Sequence, residues 1–109
     1  MDTPYIYTIS EITSRIKLIL EGNLRNIRVM GEVSNLVIPA SGHVYLTLKD
    51  SYSQIRMVIF RNKASLLRCN LRDGLTIIAH GEISVYEKRG EYQLIADHLE
   101  PAGYGELYL

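Results

Sequence analysis

The sequence predicts a mainly-β fold: a closed five-stranded barrel, preceded by one helix and with a short helix between strands three and four. Two observations predict it. Five segments have the composition or alternation of strands, and two long ones carry a glycine near the middle. Those glycines, Gly31 and Gly81, suit strands that must bend sharply to close a small barrel. A sandwich of short strands is the alternative that this pattern leaves open.

The first element is a helix near residues 9–21. Thr8 and Glu11 have the spacing of a capping box, in which each side chain bonds the backbone of the other residue. The apolar residues that follow have helical spacing and predict one apolar face: Ile12, Ile16, Ile19 and Leu20. Gly22 and Asn23 then end the helix.

The next three elements are strands, over residues 26–35, 43–49 and 54–60. The second and third form a hairpin, because residues 50–53 have turn chemistry and apolar residues alternate on both sides. One face of this hairpin can close a core. The other face carries an aromatic and basic set: His43, Tyr45, Lys49, Arg56 and Phe60.

The second half of the chain predicts one connector and two long strands. Residues 61–72 suit a short helix, and residues 73–74 form a turn. A strand follows over 75–86, then a hairpin turn over 87–90. The last strand spans 91–100 and stops before Pro101.

Composition places the chain among ordinary globular domains. Its 109 residues suit one domain. The apolar fraction of 47% is too high for a disordered chain, and the sequence lacks the long uninterrupted apolar run of a membrane helix. No signal peptide is visible, and the single cysteine, Cys69, cannot form an internal disulfide. We therefore expect a cytoplasmic protein with no membrane partner.

Charge is unevenly distributed along a chain whose net charge is zero. Residues 49–72 hold six basic and one acidic side chain, a net +5, whereas residues 73–109 hold two basic and seven acidic ones, a net −5. A zero net charge counts against strong nucleic-acid binding, and the basic segment counts for it. The alternative is that these charges only solvate an outer face.

A five-stranded barrel with a helix between strands three and four is the oligonucleotide-binding (OB) fold, which binds its ligand on strands two and three and the flanking loops. Exposed rings there stack bases, and cations hold phosphates. The candidate binding residues are Asn35, Ser41, His43, Tyr45, Lys49, Arg56, Phe60, Arg61, Tyr86, Lys88, Arg89 and Tyr92. The alternatives are packing of the rings on each other, surface ion pairs, for example with Asp50, and turn formation by the loop residues.

Catalytic and metal sites are not predicted. Carboxylates are scattered, and the three histidines, His43, His80 and His98, are isolated in the sequence. Cys69 has no base beside it and suits packing. We therefore expect no catalytic residue, no metal and no cofactor in this chain.

Several blocks of the sequence together resemble a known family. They are GEVSN at 31–35, SGHVYLTLKD at 41–50, QIRMVIFR at 54–61, DG at 73–74 and VYEKRGEYQL at 85–94. With YTISEITSRIKLILE at 7–21, they resemble the amino-terminal domain of the exodeoxyribonuclease VII large subunit over nearly the whole chain. Two positions depart from the family pattern: Leu46 stands where phenylalanine is common, and Ile38 where a basic residue is frequent.

The resemblance implies a function. That family hydrolyses single-stranded DNA from its ends to short oligonucleotides. The resemblance implies that this domain binds the DNA, that a following domain is the nuclease, and that small subunits bind to a later region of the large subunit. Residues 1–22 would be a helical extension, 23–103 the OB barrel and 104–109 the start of a linker to that nuclease domain. The parent would be a hydrolase, with this part not catalytic.

Two other functions remain open. One is an RNA-binding module, since similar barrels read transfer RNA, and it predicts a preference for strands that carry the 2′-hydroxyl. The other is a docking domain for other subunits, which the segregation of basic and acidic segments would suit.

Overall fold

The computed structural model describes residues 3–102, and its elements follow the predicted order. The helices are α1 (Ile9–Asn23) and α2 (Arg61–Ala64). The strands are β1 (Ile27–Val37), β2 (Val44–Lys49), β3 (Gln54–Ile59), β4 (Thr76–Tyr86) and β5 (Glu91–Pro101). The linker predicted over 104–109 lies outside the described residues.

The five strands form a closed barrel in the order β1-β2-β3-β5-β4, which confirms the predicted architecture over the sandwich. Neighbouring strands are antiparallel except β3 and β5, which run parallel where Met57 lies opposite Leu94. The inward-facing side chains form one core: Val33, Val44, Leu46, Leu48, Met57, Ile59, Ile77, Ala79, Ile83, Leu94, Ala96 and Leu99. Because each strand gives one face to this core, the outer faces remain available for polar and aromatic side chains.

A β-bulge in β5 marks the bend predicted at Gly81. His80 pairs with His98, but the next pair is Gly81 with Ala96, so β5 contains one extra residue. A Cβ atom at Gly81 would overlap the carbonyl oxygen of Ile95. Glycine is therefore needed where the two strand backbones approach each other.

The bend in β1 lies beyond Gly31. Pairing of β1 with β4 stays regular through Gly31, and the register with β2 shifts only between Ser34 and Val37. A Cβ atom at Gly31 would lie 2.8 Å from the Cγ atom of Leu48. Close packing on the core accounts for this glycine, and the bulge itself falls nearer to the loop that follows.

Helix α1 begins at the predicted capping box. The Glu11 backbone N–H donates to Thr8 Oγ1 at 3.0 Å, and the Thr8 N–H donates to Glu11 Oε1 at 2.8 Å. The expected apolar face is only partly buried, because Ile16 and Ile19 are exposed and no residue of the helix is fully buried. No helix within residues 3–102 is long and apolar enough to cross a membrane.

Polar contacts hold α1 against β4. The Val85 backbone N–H donates to Glu21 Oε2 at 3.0 Å, and the Ile83 N–H donates to the Leu24 carbonyl at 2.9 Å. Lys17 Nζ lies 3.3 Å from Glu87 Oε1, in the turn that follows β4. Helix α1 is therefore joined to the barrel by hydrogen bonds, by an ion pair and by the packing of Leu20 against the core.

The connector between β3 and β4 is less helical than its composition predicts. Only Arg61–Ala64 form a helix, one turn long. Leu67, Cys69 and Leu71 pack against the core from irregular backbone. Burial raises the pKa of the Cys69 thiol, which is consistent with the predicted packing role.

Candidate nucleic-acid interface

A groove of about 760 Å³ lies on the β2–β3 side of the barrel. Its walls come from β1, β2, β3, β5 and the β4–β5 hairpin, and the lining residues are Asn35, Val37, Tyr45, Leu46, Thr47, Arg56, Met57, Val58, Phe60, Tyr86, Arg89 and Gln93. Six of these are predicted binding residues: Asn35, Tyr45, Arg56, Phe60, Tyr86 and Arg89. The groove therefore lies where an OB fold receives its ligand.

Three aromatic side chains form a connected set beside the groove, and two of them, Tyr45 and Phe60, line it. The His43 ring meets the Phe60 ring edge to face at a centroid distance of 5.5 Å and the Tyr45 ring at 6.4 Å. The Arg61 backbone N–H donates to His43 Nδ1 at 2.9 Å, which fixes the imidazole. Tyr45 is 41% exposed and Phe60 is 45% exposed, so neither ring belongs to the core and both offer surface for stacking.

The basic side chains near the groove have exposed and weak partners. Arg56 Nη1 lies 3.7 Å from Glu91 Oε2, and Lys49 Nζ lies 3.9 Å from Glu32 Oε2. The Arg89 guanidinium lies 6.0 Å from the centre of the Tyr86 ring. Exposed ion pairs of this length contribute little free energy, so a phosphate can compete for these cations.

Asp50 is not a partner of Arg56. Its Oδ1 atom accepts the backbone N–H groups of Tyr52 and Ser53, each at 2.9 Å. These two hydrogen bonds lower the pKa of Asp50 and hold the β2–β3 turn. The suggested surface ion pairs therefore exist, but with acids other than Asp50: Glu91 of β5 pairs with Arg56, and Glu32 of β1 pairs with Lys49.

Asn35 shapes the mouth of the groove through its backbone. It has a φ angle of +53°, in the left-handed region that asparagine tolerates better than most residues, and it lies in the β1 bulge. The next N–H, from Leu36, donates to Asp73 Oδ1 at 3.0 Å. The predicted turn at Asp73 therefore supports the bulge that brings Asn35 to the groove.

The remaining predicted binding residues lie outside the groove lining. Lys49 and Tyr92 line a second hollow of about 210 Å³ beside the β2–β3 turn. The Arg61 side chain packs over Gly42, and Ser41 Oγ accepts the His43 N–H at 3.4 Å. Lys88 lies in the β4–β5 turn.

The groove also contains residues that the sequence pattern did not single out. Thr47 shares the outer face of β2 with Tyr45 and pairs with Arg56 across the hairpin, so period-two alternation was enough to find it. Gln93 enters from β5 because β5 pairs with β3 in parallel. Gln93 reaches this side only through the order of strands in the barrel, which cannot be read from the local sequence pattern.

The prediction that His80 and His98 are isolated is wrong. They are paired across β4 and β5, with ring centroids 5.0 Å apart. Sequence spacing missed the pair because eighteen positions separate two residues that the barrel places opposite each other.

Comparison with known proteins agrees with this geometry. The family described as "OB-fold nucleic acid binding domain" matches residues 7–100. The exodeoxyribonuclease 7 large subunit of Geobacter metallireducens is 52% identical over 104 residues, and that of Pseudomonas aeruginosa is 53% identical over the same length. Each match covers 95% of this chain, so the resemblance predicted from the sequence blocks is confirmed. The chain spans 23% of the length of these curated relatives.

Solved structures share the fold at low sequence identity. The Schizosaccharomyces pombe Stn1–Ten1 complex contains a chain that is 24% identical, with a TM-score of 0.60 over 72% of this chain and 58% of that one. A Replication Protein A heterotrimer bound to ssDNA gives a TM-score of 0.61 at 17% identity, over 78% of this chain and 64% of that one. Asparaginyl-tRNA synthetase from Pyrococcus horikoshii gives 0.58 at 20% identity, over 81% of this chain and 21% of that one.

Proposed function

This chain belongs to the family of OB-fold nucleic acid binding domains, and we propose that it holds single-stranded DNA for a nuclease of the exodeoxyribonuclease VII type. The observation that carries the proposal is the groove in which Tyr45, Phe60 and Arg56 lie together on the β2–β3 side of the barrel. The chain supplies binding, and the hydrolysis of DNA to oligonucleotides takes place in another part of the large subunit.

The groove offers the two interactions that bind single strands without regard to sequence. Tyr45 lies on β2 and Phe60 directly follows β3, and each exposed ring can stack one base. Arg56 and Arg89 face the groove from two sides and neutralise phosphates once their weak partners are displaced. Asn35 and Gln93 add hydrogen-bonding groups at the rim.

The proposed organisation follows the same resemblance. In this organisation helix α1 is an extension of the binding barrel, and the nuclease domain is a separate part of the large subunit. The rest of the large subunit and, through it, the small subunits are the protein partners. A cytoplasmic location is part of the proposal, and the single cysteine supports a reducing compartment.

Fluorescence anisotropy across a salt series tests the proposal. A labelled oligodeoxythymidine of about 16 nucleotides should bind saturably, with affinity that falls steeply as salt rises. The double variant Tyr45→Ala/Arg56→Ala should weaken binding, whereas Tyr52→Ala removes a 96% exposed ring in the β2–β3 turn and should not. Unchanged affinity in the double variant would contradict the proposed groove.

A competition titration separates DNA from RNA as the ligand. An unlabelled RNA strand of matched length and sequence competes with the labelled DNA, and a DNA-binding module should release its probe no more readily to RNA than to DNA. Preferential displacement by RNA would instead indicate recognition of the 2′-hydroxyl and support the RNA-binding alternative.

A further inference from the structure

A cluster of two histidines and one glutamate lies on the outer face of β4 and β5. One ligand atom from each of His80, His98 and Glu100 lies within 4.8 Å of those of the other two. His80 Nε2 lies 3.5 Å from Glu100 Oε1. None of the three residues lines the groove proposed to bind DNA.

The bulge in β5 is what creates this cluster. Leu94 and Ala96 point into the core, so regular alternation would turn His98 inward as well. The extra residue of the bulge reverses the phase, and Leu99 is buried in its place. His98 is thereby exposed beside His80, and Glu100, two residues further on, shares the same face.

We propose that His80, His98 and Glu100 form a binding site for a divalent transition-metal ion, with Zn²⁺ as the representative. Two imidazoles and one carboxylate are a donor set that such ions bind, and three protein ligands leave a fourth position for water or another donor. Metal–ligand distances of about 2.0–2.2 Å require the three side chains to draw closer together. All three are at least partly exposed, so new rotamers can supply this movement.

Arg28 is the competitor for this site. Its Nη2 atom donates to Glu100 Oε1 at 3.0 Å, and Arg28 lies directly opposite His80 on β1. A bound cation must replace this guanidinium as the partner of the carboxylate. Removal of the positive charge should therefore increase metal affinity, an effect opposite to that of losing a ligand.

Titration calorimetry of the whole chain with Zn²⁺ tests the site, and it needs no DNA, so its outcome is independent of the proposed function. We expect one ion per chain. His98→Asn and Glu100→Gln should each weaken binding at least tenfold, and Arg28→Gln should strengthen it. Glu82→Gln, which removes an exposed carboxylate of β4 that does not belong to the cluster, is the control and should leave the affinity unchanged.

Nuclear magnetic resonance of the unaltered chain keeps the test independent of how the variants fold. Zn²⁺ should shift the ring signals of His80 and His98 together at one equivalent and leave those of His43 in place. The absence of saturable binding, an affinity unchanged in His98→Asn, or shifts confined to His43 would overturn the proposal.

Discussion

Tyr45 is an exposed ring on the outer face of β2, at the wall of the proposed binding groove. Strand alternation placed it on the outer face of β2, and the structure finds it there, 41% exposed and lining the groove. Alternation did not predict its neighbours. The contact of His43 with Phe60 depends on the register between strands, as does the pairing of His80 with His98.

At the residue scale, Tyr45 should be the strongest single contributor to stacking. We expect Tyr45→Ala to weaken binding of single-stranded DNA by about 1–3 kcal/mol, roughly 5- to 150-fold, because one base loses its stacking partner. Tyr45→Phe keeps the ring and should bind nearly as tightly. Anisotropy with the same oligonucleotide measures both variants, and a loss as large in Tyr45→Phe as in Tyr45→Ala would refute stacking as the role of this ring.

At the scale of elements, we expect the substitution of alanine for glycine to have opposite effects on stability at two positions, Gly81 and Gly22. Gly81→Ala should destabilise the barrel by about 3 kcal/mol or more, since the new Cβ atom overlaps the backbone of β5 at Ile95. Gly22 lies in helix α1, where a new Cβ atom would meet nothing within 4 Å beyond the neighbouring helix backbone, so Gly22→Ala should be neutral or stabilising by up to about 1 kcal/mol. Chemical denaturation of the two variants measures the difference, which would vanish if β4 and β5 did not approach so closely.

The capping box of α1 predicts a dependence on pH. Hydrogen bonds from the Thr8 N–H and the Tyr5 hydroxyl lower the pKa of Glu11. A lowered pKa means that the stabilisation is complete above the pKa of the unfolded chain and is lost as pH falls through the lower value of the folded chain. Denaturation from about pH 6 to about pH 3 should show this loss in the parent, and a smaller loss in Glu11→Gln, which has no charge to titrate. If the free energy of unfolding fell equally with pH in both proteins, Glu11 would not be the source of the pH dependence.

The cap itself is a separate contribution. Thr8→Ala removes the Oγ1 acceptor of the Glu11 N–H and should lower stability by about 1 kcal/mol. Ser10 lies two residues after Thr8, in the first turn of the helix, so Ser10→Ala keeps the cap and serves as the control in the same denaturation series. An equal effect of both substitutions would show that helix propensity, and not the cap, determines the stability of this end.

For the whole molecule, folding mixes charges that the sequence keeps apart. Residues 49–72 are basic and residues 73–109 are acidic, yet Arg56 of the first segment pairs with Glu91 of the second. The basic and acidic segments, whose separation in the sequence suited head-to-tail docking, therefore partly neutralise each other within one barrel. The sequence predicted the strands and their order along the chain, but the parallel contact of β3 with β5 brings these charges together, and it joins residues far apart in sequence.

Because Glu91 pairs with Arg56, we expect the Glu91 carboxylate to weaken the binding of single-stranded DNA. Glu91→Gln should free Arg56 for phosphate and tighten single-stranded DNA binding about 2- to 5-fold at low salt, with the gain shrinking as salt rises. Glu82→Gln makes the same change in net charge and breaks an ion pair of the same 3.7 Å length, with Arg25. Neither Glu82 nor Arg25 lines the groove, so a purely long-range effect would tighten both variants equally, whereas competition at Arg56 tightens only the first. Anisotropy titrations of the two variants at several salt concentrations decide between these outcomes, and equal affinities would place the control of binding in overall charge instead of in the groove.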